Sequence, residues 1–422
     1  MRILHTSDWH LGRSFHRVDL LAAQAAVLDD VVAVARAERV DAVVVAGDVY
    51  DRALPGVDAV ALLNDTLERL VDLGVAVVVS SGNHDSAVRL GFLSGVLARS
   101  GVHLRTDPAR VGEPVLLADE HGDVAVYPLP YLEPALTADV LGAERTHAAV
   151  LAAAAGRVRA DLAGRPAGTR SVVAAHAFLA GGAPSDSERE LAVGGVVSAP
   201  VGVFDGVDYV ALGHLHGRQT LAPTVRYAGS PLAYSFSEAG HTKGCWLVAL
   251  GRDGVEAVEP VDSPVPRPLA RLRGTLADLL ADPRLAAAED AWCQVVLTDA
   301  VRPSAPMEQV RRRFPHTLEL RLEPAAVAGE ASRDQDAGYA ARISGRGDVE
   351  VCCGYLEHVR GGRAASEAES ALFREALEAG LLAEIEAGAP RRRADRDAEA
   401  AGQARLEGLD EPAAARQAVT PA

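Results

Sequence analysis

Five apolar, strand-like segments of this chain end, one after another, on side chains of the kinds that bind metal ions. In chain order they end on Asp8 and His10, on Asp48 and Asp51, on Asn83, His84 and Asp85, on His176, and on His214 and His216. Burying such polar groups is costly unless they have partners. In open α/β sheets, ligand sites form beyond the carboxyl ends of the strands, so we expect these five strand ends to meet at one rim.

The segments between these strands have the apolar spacing of helices. Leu20–Arg39 and Val57–Leu73 are predicted helices, Thr137–Arg165 is an alanine-rich, helix-like segment, and Gly181–Pro200 is polar and predicted to be a loop. The resulting β-α-β-α-β series predicts an α/β fold with layers of sheet and helix. A length of 422 residues predicts two or three domains.

The pattern changes at about Val261. Residues 264–274, PVPRPLARLRG, are predicted to be a linker, and strands within 291–299 and 316–324 with a helix at 305–314 predict a small α+β domain. Ser366–Ala387 is predicted to be an amphipathic helix. The predicted parts are a first domain at 1–260, the small domain at 265–325, a loose linker at 326–345, a C-terminal segment at 346–388 and a disordered tail at 389–422.

Composition narrows the class of protein. The formal net charge of −16 argues against nucleic-acid binding by bulk charge, but it is compatible with a cleft where metal ions and a few arginines supply positive charge. The four cysteines fit no zinc pattern and no disulfide framework. The start MRILHTSDWH lacks a signal-peptide pattern and no apolar stretch is long enough to span a bilayer. We therefore expect a cytoplasmic protein without a membrane partner.

The candidate metal ligands form a mixed oxygen and nitrogen set without a thiolate. They are Asp8, His10, Asp48, Asn83, His176, His214 and His216. In DWH and HLH the outer residues are two apart, so in extended backbone both point to the same face. Such a set suits Mn²⁺, Fe²⁺ or Zn²⁺ better than Ca²⁺. Seven ligands are too many for one ion and natural for two, and Asp48 is the candidate bridging carboxylate.

The GNHD motif combines a ligand with a candidate catalytic group. Asn83 offers a neutral oxygen, which limits the negative charge on a pair of ions. His84 follows in a tight turn and would point towards the substrate, where an imidazole can protonate a leaving oxygen or stabilise the transition state. Asp51 is predicted to orient His84, because a carboxylate can fix the tautomer of a histidine.

At these residues the chain resembles the calcineurin-like metallophosphoesterases, whose pattern is D-x-H, GD, GNHD, a lone His and GHxH. Longer stretches resemble the narrower SbcD family, the bacterial nuclease subunits of the SbcCD complex that processes double-strand breaks. These stretches are ILHTSDWHLGR, GDVYDRALP, GNHDS, ALGHLHG, YAGSPLAYSFSEAGHTKG and LEHVRG. The resemblance runs from Met1 to about Gly380, and Cys352 and Cys353 match no feature of the family.

The resemblance implies a metallophosphoesterase sheet sandwich flanked by helices, and a Mn²⁺-dependent DNA nuclease in which Mg²⁺, Fe²⁺ or Zn²⁺ are alternative metals. His84 would be the catalytic histidine, assisted by Asp51. By family match, one ion is held by Asp8, His10, Asp48 and His216, and the other by Asp48, Asn83, His176 and His214.

The resemblance also implies partners. The expected substrates are single strands, double-strand ends and hairpins of DNA, in recombination, replication and repair. Residues 265–325 would be a capping domain that helps to select DNA. Residues 346–388 would dock on SbcC, a coiled-coil ATPase that drives 3′-to-5′ degradation of duplex ends. The chain would form a homodimer within a heterotetramer, through the helices after Asp51 and Asp85.

Several interpretations remain open at the level of the sequence. Arg13, Arg17, Arg52 and Arg89 follow the motif loops, and they either contact DNA phosphates or merely keep a face in solvent. The Ser366–Ala387 helix packs either on a partner or on its own domain. Two other functions compete with the nuclease. One is hydrolysis of small phosphodiesters such as cyclic nucleotides or dinucleotides, and the other is a non-catalytic scaffold, against which the intact His84 and Asp51 argue.

Overall fold

A computed structural model describes residues 1–188, 198–324, 347–360 and 362–386, with side chains only up to residue 379 in the last range. The chain divides into two compact units, Met1–Glu323 and Pro324–Ala422. The predicted loose linker at 326–345, the predicted tail at 389–422 and residues 189–197 of the predicted loop lie outside the described residues.

Two six-stranded sheets form most of the first unit. The first sheet has the order β14-β13-β1-β4-β5-β6 and the second has the order β11-β12-β10-β9-β8-β7. The strands of the first sheet are β1 Arg2–Thr6, β4 Ala42–Ala46, β5 Ala76–Ser80, β6 Val102–Arg105, β13 Gly244–Gly251 and β14 Gly254–Asp262. Those of the second are β7 Val115–Asp119, β8 Gly122–Leu129, β9 Arg170–His176, β10 Tyr209–Gly213, β11 Gln219–Ala222 and β12 Val225–Tyr227. A separate hairpin pairs β2 Ser14–Phe15 with β3 Val18–Asp19.

The two sheets pack face to face and are covered by helices on their outer sides. One apolar cluster joins the sheets, with members such as Ile3, Val44, Val78, Val126, Val172 and Ala211. The outer face of the first sheet packs on α1 Leu21–Ala37 and α2 Val57–Asp72. Every residue of β4 is buried, which explains its continuous apolar run AVVVA. The predicted α/β sandwich flanked by helices is confirmed.

The helices over the second sheet differ from the prediction. The helix-like segment Thr137–Arg165 contains two helices, α5 Pro134–Leu141 and α6 His147–Ala163. Gly142 ends the first helix in a left-handed conformation with φ +69°. Thr146 then accepts a hydrogen bond from the N–H of Ala149 and begins the second. Alanine content alone does not reveal this break. Two single-turn helices, α3 Ala87–Leu90 and α4 Ser94–Leu97, follow β5.

A third, three-stranded parallel sheet lies within residues 269–322. It consists of β15 Leu269–Gly274, β16 Trp292–Leu297 and β17 Thr317–Leu322, with helices α7 Leu276–Ala281 and α8 Pro306–Arg313. The predicted linker at 264–274 is therefore wrong over 269–274. There, Leu272 is buried in a separate apolar core with Cys293 and Phe314 and lies opposite Val295 in the sheet.

The described part of the second unit is a pair of helices, α9 Asp348–Val359 and α10 Glu367–Glu386, which we call the C-terminal hairpin. The predicted helix Ser366–Ala387 is found as α10. Arg360 and Glu369 form an ion pair at 2.8 Å, and Cys353 Sγ lies 3.4 Å from Ser370 Oγ. Among the described residues of both units, no helix combines the length and hydropathy needed to cross a membrane.

Candidate metal centre

The carboxyl ends of five strands bring the seven candidate ligands together. Strands β1, β4 and β5 run parallel in one sheet, and β9 and β10 run parallel in the other. The first sheet supplies Asp8, His10, Asp48 and Asn83 in the loops after its strands, and the second supplies His176, His214 and His216. Most of these side chains are almost inaccessible, with exposures of 0% for Asp8 and His10 and 2% for Asp48, His176 and His216.

The seven residues form two groups that meet at Asp48. In one, Asp8, His10 and His216 lie close enough to hold a single ion, and His10 Nε2 is 3.1 Å from His216 Nε2. Asp48 Oδ2 is 3.5 Å from His10 Nε2 and 3.4 Å from His176 Nε2, so this carboxylate lies between the groups.

The second group contains Asn83, His176 and His214. Asn83 Oδ1 lies 3.0 Å from His176 Nε2 and 3.1 Å from His214 Nδ1, and these two nitrogens are 3.2 Å apart. The other ring nitrogen of His176 lies 2.9 Å from the main-chain oxygen of Ala46. Since a carbonyl oxygen only accepts, Nδ1 must carry a hydrogen, and in the neutral ring Nε2 has the lone pair.

Oxygen and nitrogen atoms that can offer lone pairs therefore converge in both groups, at separations of 3.0–3.2 Å. Two further buried ring nitrogens, His10 Nδ1 and His214 Nε2, have no hydrogen-bond partner. Buried polar groups in proteins are usually satisfied, and unsatisfied ones often mark a missing ion or water. Mixed carboxylate, amide and imidazole donors without a thiolate suit Mn²⁺, Fe²⁺ or Zn²⁺. The residues present fit a pair of divalent ions.

The charges of the cluster agree with this fit. Burial lowers the pKa of His176, but the carboxylates of Asp48 and Asp8 outweigh burial and raise this pKa to about 9. Burial lowers the pKa of His10 and of His214 well below the usual range. Burial also raises the pKa of Asp8 to about 6, against the lowering effect of His176 and His216. The two carboxylates thus favour positive charge beside His176, which a bound cation would supply.

The backbone at the rim is strained in a way that places the ligands. Asp8, His10, Asp48 and His214 all have positive φ, at 53°, 45°, 50° and 100°. Such conformations cost roughly 1–3 kcal/mol each and cluster at functional sites. Long-range hydrogen bonds hold them: the N–H of Asp8 donates to Gly47 O at 3.1 Å, and the N–H of His214 donates to Asp8 Oδ1 at 3.0 Å.

Two glycines permit the close approach of the ligand loops. A Cβ atom on Gly47 would lie 2.3 Å from His176 Nδ1, and one on Gly82 would lie 2.0 Å from Asp48 Oδ1. Both distances are impossible for real side chains, so the glycines of the GD and GNHD motifs are required by packing. Gly47 also has φ +82°, which favours glycine.

His84 lines an open cleft of about 380 Å³ beside the ligands, together with Asp51, Arg13 and Arg52. Its main-chain N–H donates to Asp48 Oδ1 at 2.9 Å, and its Nδ1 lies 2.9 Å from the main-chain oxygen of Asp51. The expectation that the Asp51 carboxylate orients His84 is therefore wrong, since the main chain of that residue makes the contact. The carboxylate instead lies 3.3 Å from Arg13 Nη1 and 3.6 Å from His10 Nδ1.

The four arginines proposed for DNA lie in two different settings. Arg13 is half-buried, and its guanidinium lies 4.9 Å from the centre of the Tyr234 ring. Arg52 is exposed and also borders the cleft. Arg17 and Arg89 are exposed and do not line the cleft, and Arg89 donates to the main-chain oxygen of Ala53 at 3.2 Å.

Sequence reasoning missed several residues that support the ligands. The carboxylate of Asp85 accepts hydrogen bonds from the N–H groups of Val49, Tyr50 and Gly82, and so ties the loop after β4 to the loop after β5. Its place in GNHD was visible, but its partners in the loop after β4 lie 35 residues away or more. Ser187, Glu188, Glu238 and Lys243 surround His216. Glu238 and Lys243 lie in the stretch YAGSPLAYSFSEAGHTKG quoted above, but no spacing there indicates a contact with His216, because only folding brings these residues to the rim.

Family comparisons agree with the geometry. The model for the calcineurin-like phosphoesterase family matches residues 1–218, which is more than half of the chain. The chain belongs to this family, and so to the metal-dependent phosphoester hydrolases. A second family model, SbcD_C, described as the type 5 capsule protein repressor C-terminal domain, matches residues 265–359.

Matches to solved structures are weak. One is a dimetal phosphatase from Danio rerio, with 14% identity and a TM-score of 0.35, covering 63% of this chain and 99% of its own. Another is a protein of Thermus thermophilus, with 12% identity and a TM-score of 0.36, covering 62% of this chain and 98% of its own. At these scores the two structures carry no argument about fold or function.

Proposed function

We propose that this protein is a two-metal DNA nuclease of the SbcD type, and that Mn²⁺ is the preferred metal. The observation that carries the proposal is the convergence of acceptor atoms on both sides of Asp48, with His84 beside them in an open cleft. The resemblance to SbcD and the SbcD_C match at residues 265–359 support the choice of DNA as substrate.

In this proposal, seven side chains hold two ions. Asp8, His10 and His216 bind the first, Asn83, His176 and His214 bind the second, and Asp48 bridges them. Bound divalent ions would polarise the phosphate and favour ionisation of the attacking water. The strained loops after the strands hold the ligands in place before substrate binds, which limits reorganisation during the reaction.

His84 is the proposed general acid. Its Nδ1 donates to the main-chain oxygen of Asp51, so Nε2 is the atom available to the substrate. When the ring is protonated, Nε2–H can give its proton to the leaving oxygen as the P–O bond breaks, and the ring becomes neutral. Arg13 and Arg52 border the same cleft and are proposed to contact phosphates of the DNA strand. Arg17 and Arg89 do not line the cleft and would contact DNA only outside the cleft.

Partners are also part of the proposed function. A homodimer through the helices after Asp51 and Asp85 is supported by exposed apolar side chains in both regions. Leu54 and Val57 follow Asp51, and Val88, Phe92 and Val96 follow Asp85. The C-terminal hairpin is proposed to dock on a coiled-coil ATPase of the SbcC type. Residues 265–325 are proposed to act as the DNA-selecting cap. A cytoplasmic location is part of this proposal.

A second candidate is hydrolysis of small phosphodiesters. The cleft volume of about 380 Å³ lies in the range of small-molecule sites, so a cyclic nucleotide or dinucleotide would fit. The separate three-stranded domain and the C-terminal hairpin favour the nuclease, since a small substrate needs neither.

One assay separates these candidates. Purified protein is incubated with Mn²⁺, Mg²⁺ or EDTA and given labelled single-stranded DNA in parallel with cyclic and dinucleotide phosphodiesters. Cleavage of DNA that needs Mn²⁺ and is lost in His84→Ala supports the nuclease. Rapid turnover of a small phosphodiester with DNA left intact would overturn it in favour of the second candidate.

A further inference from the structure

Behind His216 lies a buried set of side chains that the metal-binding motifs do not contain. We call it the Glu238 relay, and it consists of Ser187, Glu238 and Lys243. Glu238 is 1% exposed and Lys243 is 5% exposed. A buried charge pair is often no more stabilising than apolar residues of the same size, so its place beside one candidate ligand suggests a functional reason.

Among the described residues, four groups donate hydrogen bonds to the Glu238 carboxylate. Lys243 Nζ lies 2.5 Å from Oε2, and the main-chain N–H of Tyr234 lies 3.2 Å from the same oxygen. The hydroxyl of Ser187 lies 2.5 Å from Oε1, and that of Ser185 lies 3.1 Å from it. The carboxylate is thus held on both oxygens and acts only as an acceptor.

Lys243 connects the relay to the main chain of the ligand loop. Besides Glu238, its ammonium donates to the main-chain oxygen of His216 at 2.7 Å and to Ser230 Oγ at 3.0 Å. All three hydrogens of the ammonium therefore have acceptors. This arrangement fixes both the carboxylate and the backbone of His216.

The hydroxyl of Ser187 determines which ring nitrogen of His216 carries the hydrogen. The Glu238 carboxylate only accepts, so its 2.5 Å bond takes the hydrogen of the Ser187 hydroxyl. The serine oxygen then accepts from its two other close partners, Ser185 Oγ at 2.6 Å and His216 Nδ1 at 2.7 Å. Glu238 Oε1 itself lies 3.5 Å from that nitrogen. The neutral ring thus has its hydrogen on Nδ1 and its lone pair on Nε2, the atom that faces His10 at 3.1 Å.

We propose that Glu238 is a positioning residue for one ion of the pair: through Ser187 it holds His216 in the tautomer and orientation that bind a metal, while Lys243 holds the carboxylate in place. This inference rests on the proposed function, because it concerns the ion assigned to Asp8, His10 and His216. Removing an outer hydrogen-bond partner of a metal-binding histidine typically lowers metal affinity by about 10- to 100-fold.

The second ion site, assigned to Asn83, His176 and His214, serves as a reference within the same protein for the effect of relay substitutions. There, the ring of His176 is oriented by the main-chain oxygen of Ala46 at 2.9 Å, which no side-chain substitution removes. Substitutions in the relay should therefore weaken one ion selectively. A general loss of folding would weaken both.

The test measures Mn²⁺ binding to the full-length chain by calorimetry and electron paramagnetic resonance. We expect two bound ions in the wild type. In Ser187→Ala and in Glu238→Gln, one ion should bind about 10- to 100-fold more weakly, while the affinity of the other changes less than about twofold. Nitrogen NMR of the metal-free, histidine-labelled protein should show the Nδ1–H tautomer of His216 in the wild type, and a loss of that preference in both variants.

Two further variants separate positioning from structural support. Ser187→Thr keeps the hydroxyl and should restore the affinity that Ser187→Ala loses. Asp119→Asn is the matched control, because Asp119 and Arg170 also form a nearly buried ion pair, at 2.6 Å, but near the opposite ends of the strands from the rim. This control should lower thermal stability and leave both Mn²⁺ affinities unchanged.

The inference is overturned if both affinities and the tautomer of His216 stay at wild-type values in Ser187→Ala and Glu238→Gln, even when thermal stability falls. If Glu238→Gln does not fold, Ser187→Ala decides alone, since it leaves the Glu238–Lys243 pair intact. A wild-type protein that binds no Mn²⁺ would overturn the proposed function itself and the relay with it. Two bound ions with no response in the variants would overturn only the relay.

Discussion

The rim of strand ends and the C-terminal hairpin are built in opposite ways. At the rim, charged and polar side chains are buried between two sheets, and Asp8 and His10 are fully inaccessible. In the hairpin, no described residue is buried, and Tyr355 and Leu372 are more than half exposed. Polar groups are thus buried where they can share a cation, while apolar groups remain exposed where a partner could cover them.

The contacts within the two regions also differ in range. The rim is held by bonds such as the one from the N–H of His214 to Asp8, which are 206 residues apart. The hairpin is held by local bonds, such as the ones that Ser366 makes with Glu369. Under the proposed function, we expect catalysis to depend on the first unit alone and the second unit to contribute to association. The following predictions test that division.

The largest effect is expected from Asp48→Ala. Because this carboxylate lies between both groups of ligands, its loss should remove both ions and lower phosphodiester cleavage by more than about a thousandfold. Metal content is measured by elemental analysis after gel filtration. Asp65→Ala, on the exposed surface of α2, is the control and should keep both ions. Retention of one ion in Asp48→Ala would disprove bridging.

His84→Ala should lower kcat by about 10²- to 10⁴-fold, as expected for loss of a general acid, while the metal content stays at wild-type level. The substitution removes the ring but keeps the main-chain N–H that bonds to Asp48. His121→Ala on the surface is the control. A clear fall in bound metal would mean that His84 is itself a ligand.

Removal of metal should destabilise the first unit and leave the hairpin unchanged. Ions that bind only the folded state stabilise it by about 2.7 kcal/mol at 100 times the Kd, so EDTA should lower the Tm by a few degrees. Hydrogen exchange should accelerate in the loops after β1, β4, β5, β9 and β10. Equal acceleration in the C-terminal hairpin would break the proposed independence of the two regions.

The smallest effect on catalysis is expected from deletion of everything after Gly361. Single-strand cleavage should change less than about twofold, because all candidate ligands lie in the first unit, but co-purification with an SbcC-type ATPase should be lost. Leu372→Asp, at an exposed position of α10, should weaken that association alone. Persistent association after the deletion would show that the partner binds elsewhere.

Much of the fold was predictable because apolar periodicity is a local property. The helices at Leu21–Ala37 and Val57–Asp72 lie within two residues of the predicted bounds. The break between α5 and α6 was missed because alanine content does not encode the left-handed Gly142. The strand at 269–274 was missed because the prolines before it resemble a linker, and only its pairing with β16 buries Leu272.

By itself, the sequence determined which residues are candidate metal ligands, since each of them follows or ends an apolar strand. It also determined the α/β class, because strand and helix periods alternate along the chain. Only the tertiary structure decided that the main chain of Asp51, and not its carboxylate, contacts His84. It alone placed Glu238 and Lys243 behind His216. The physical reason is that hydrogen bonds and charge pairs act over about 3 Å in space, whatever the separation along the chain.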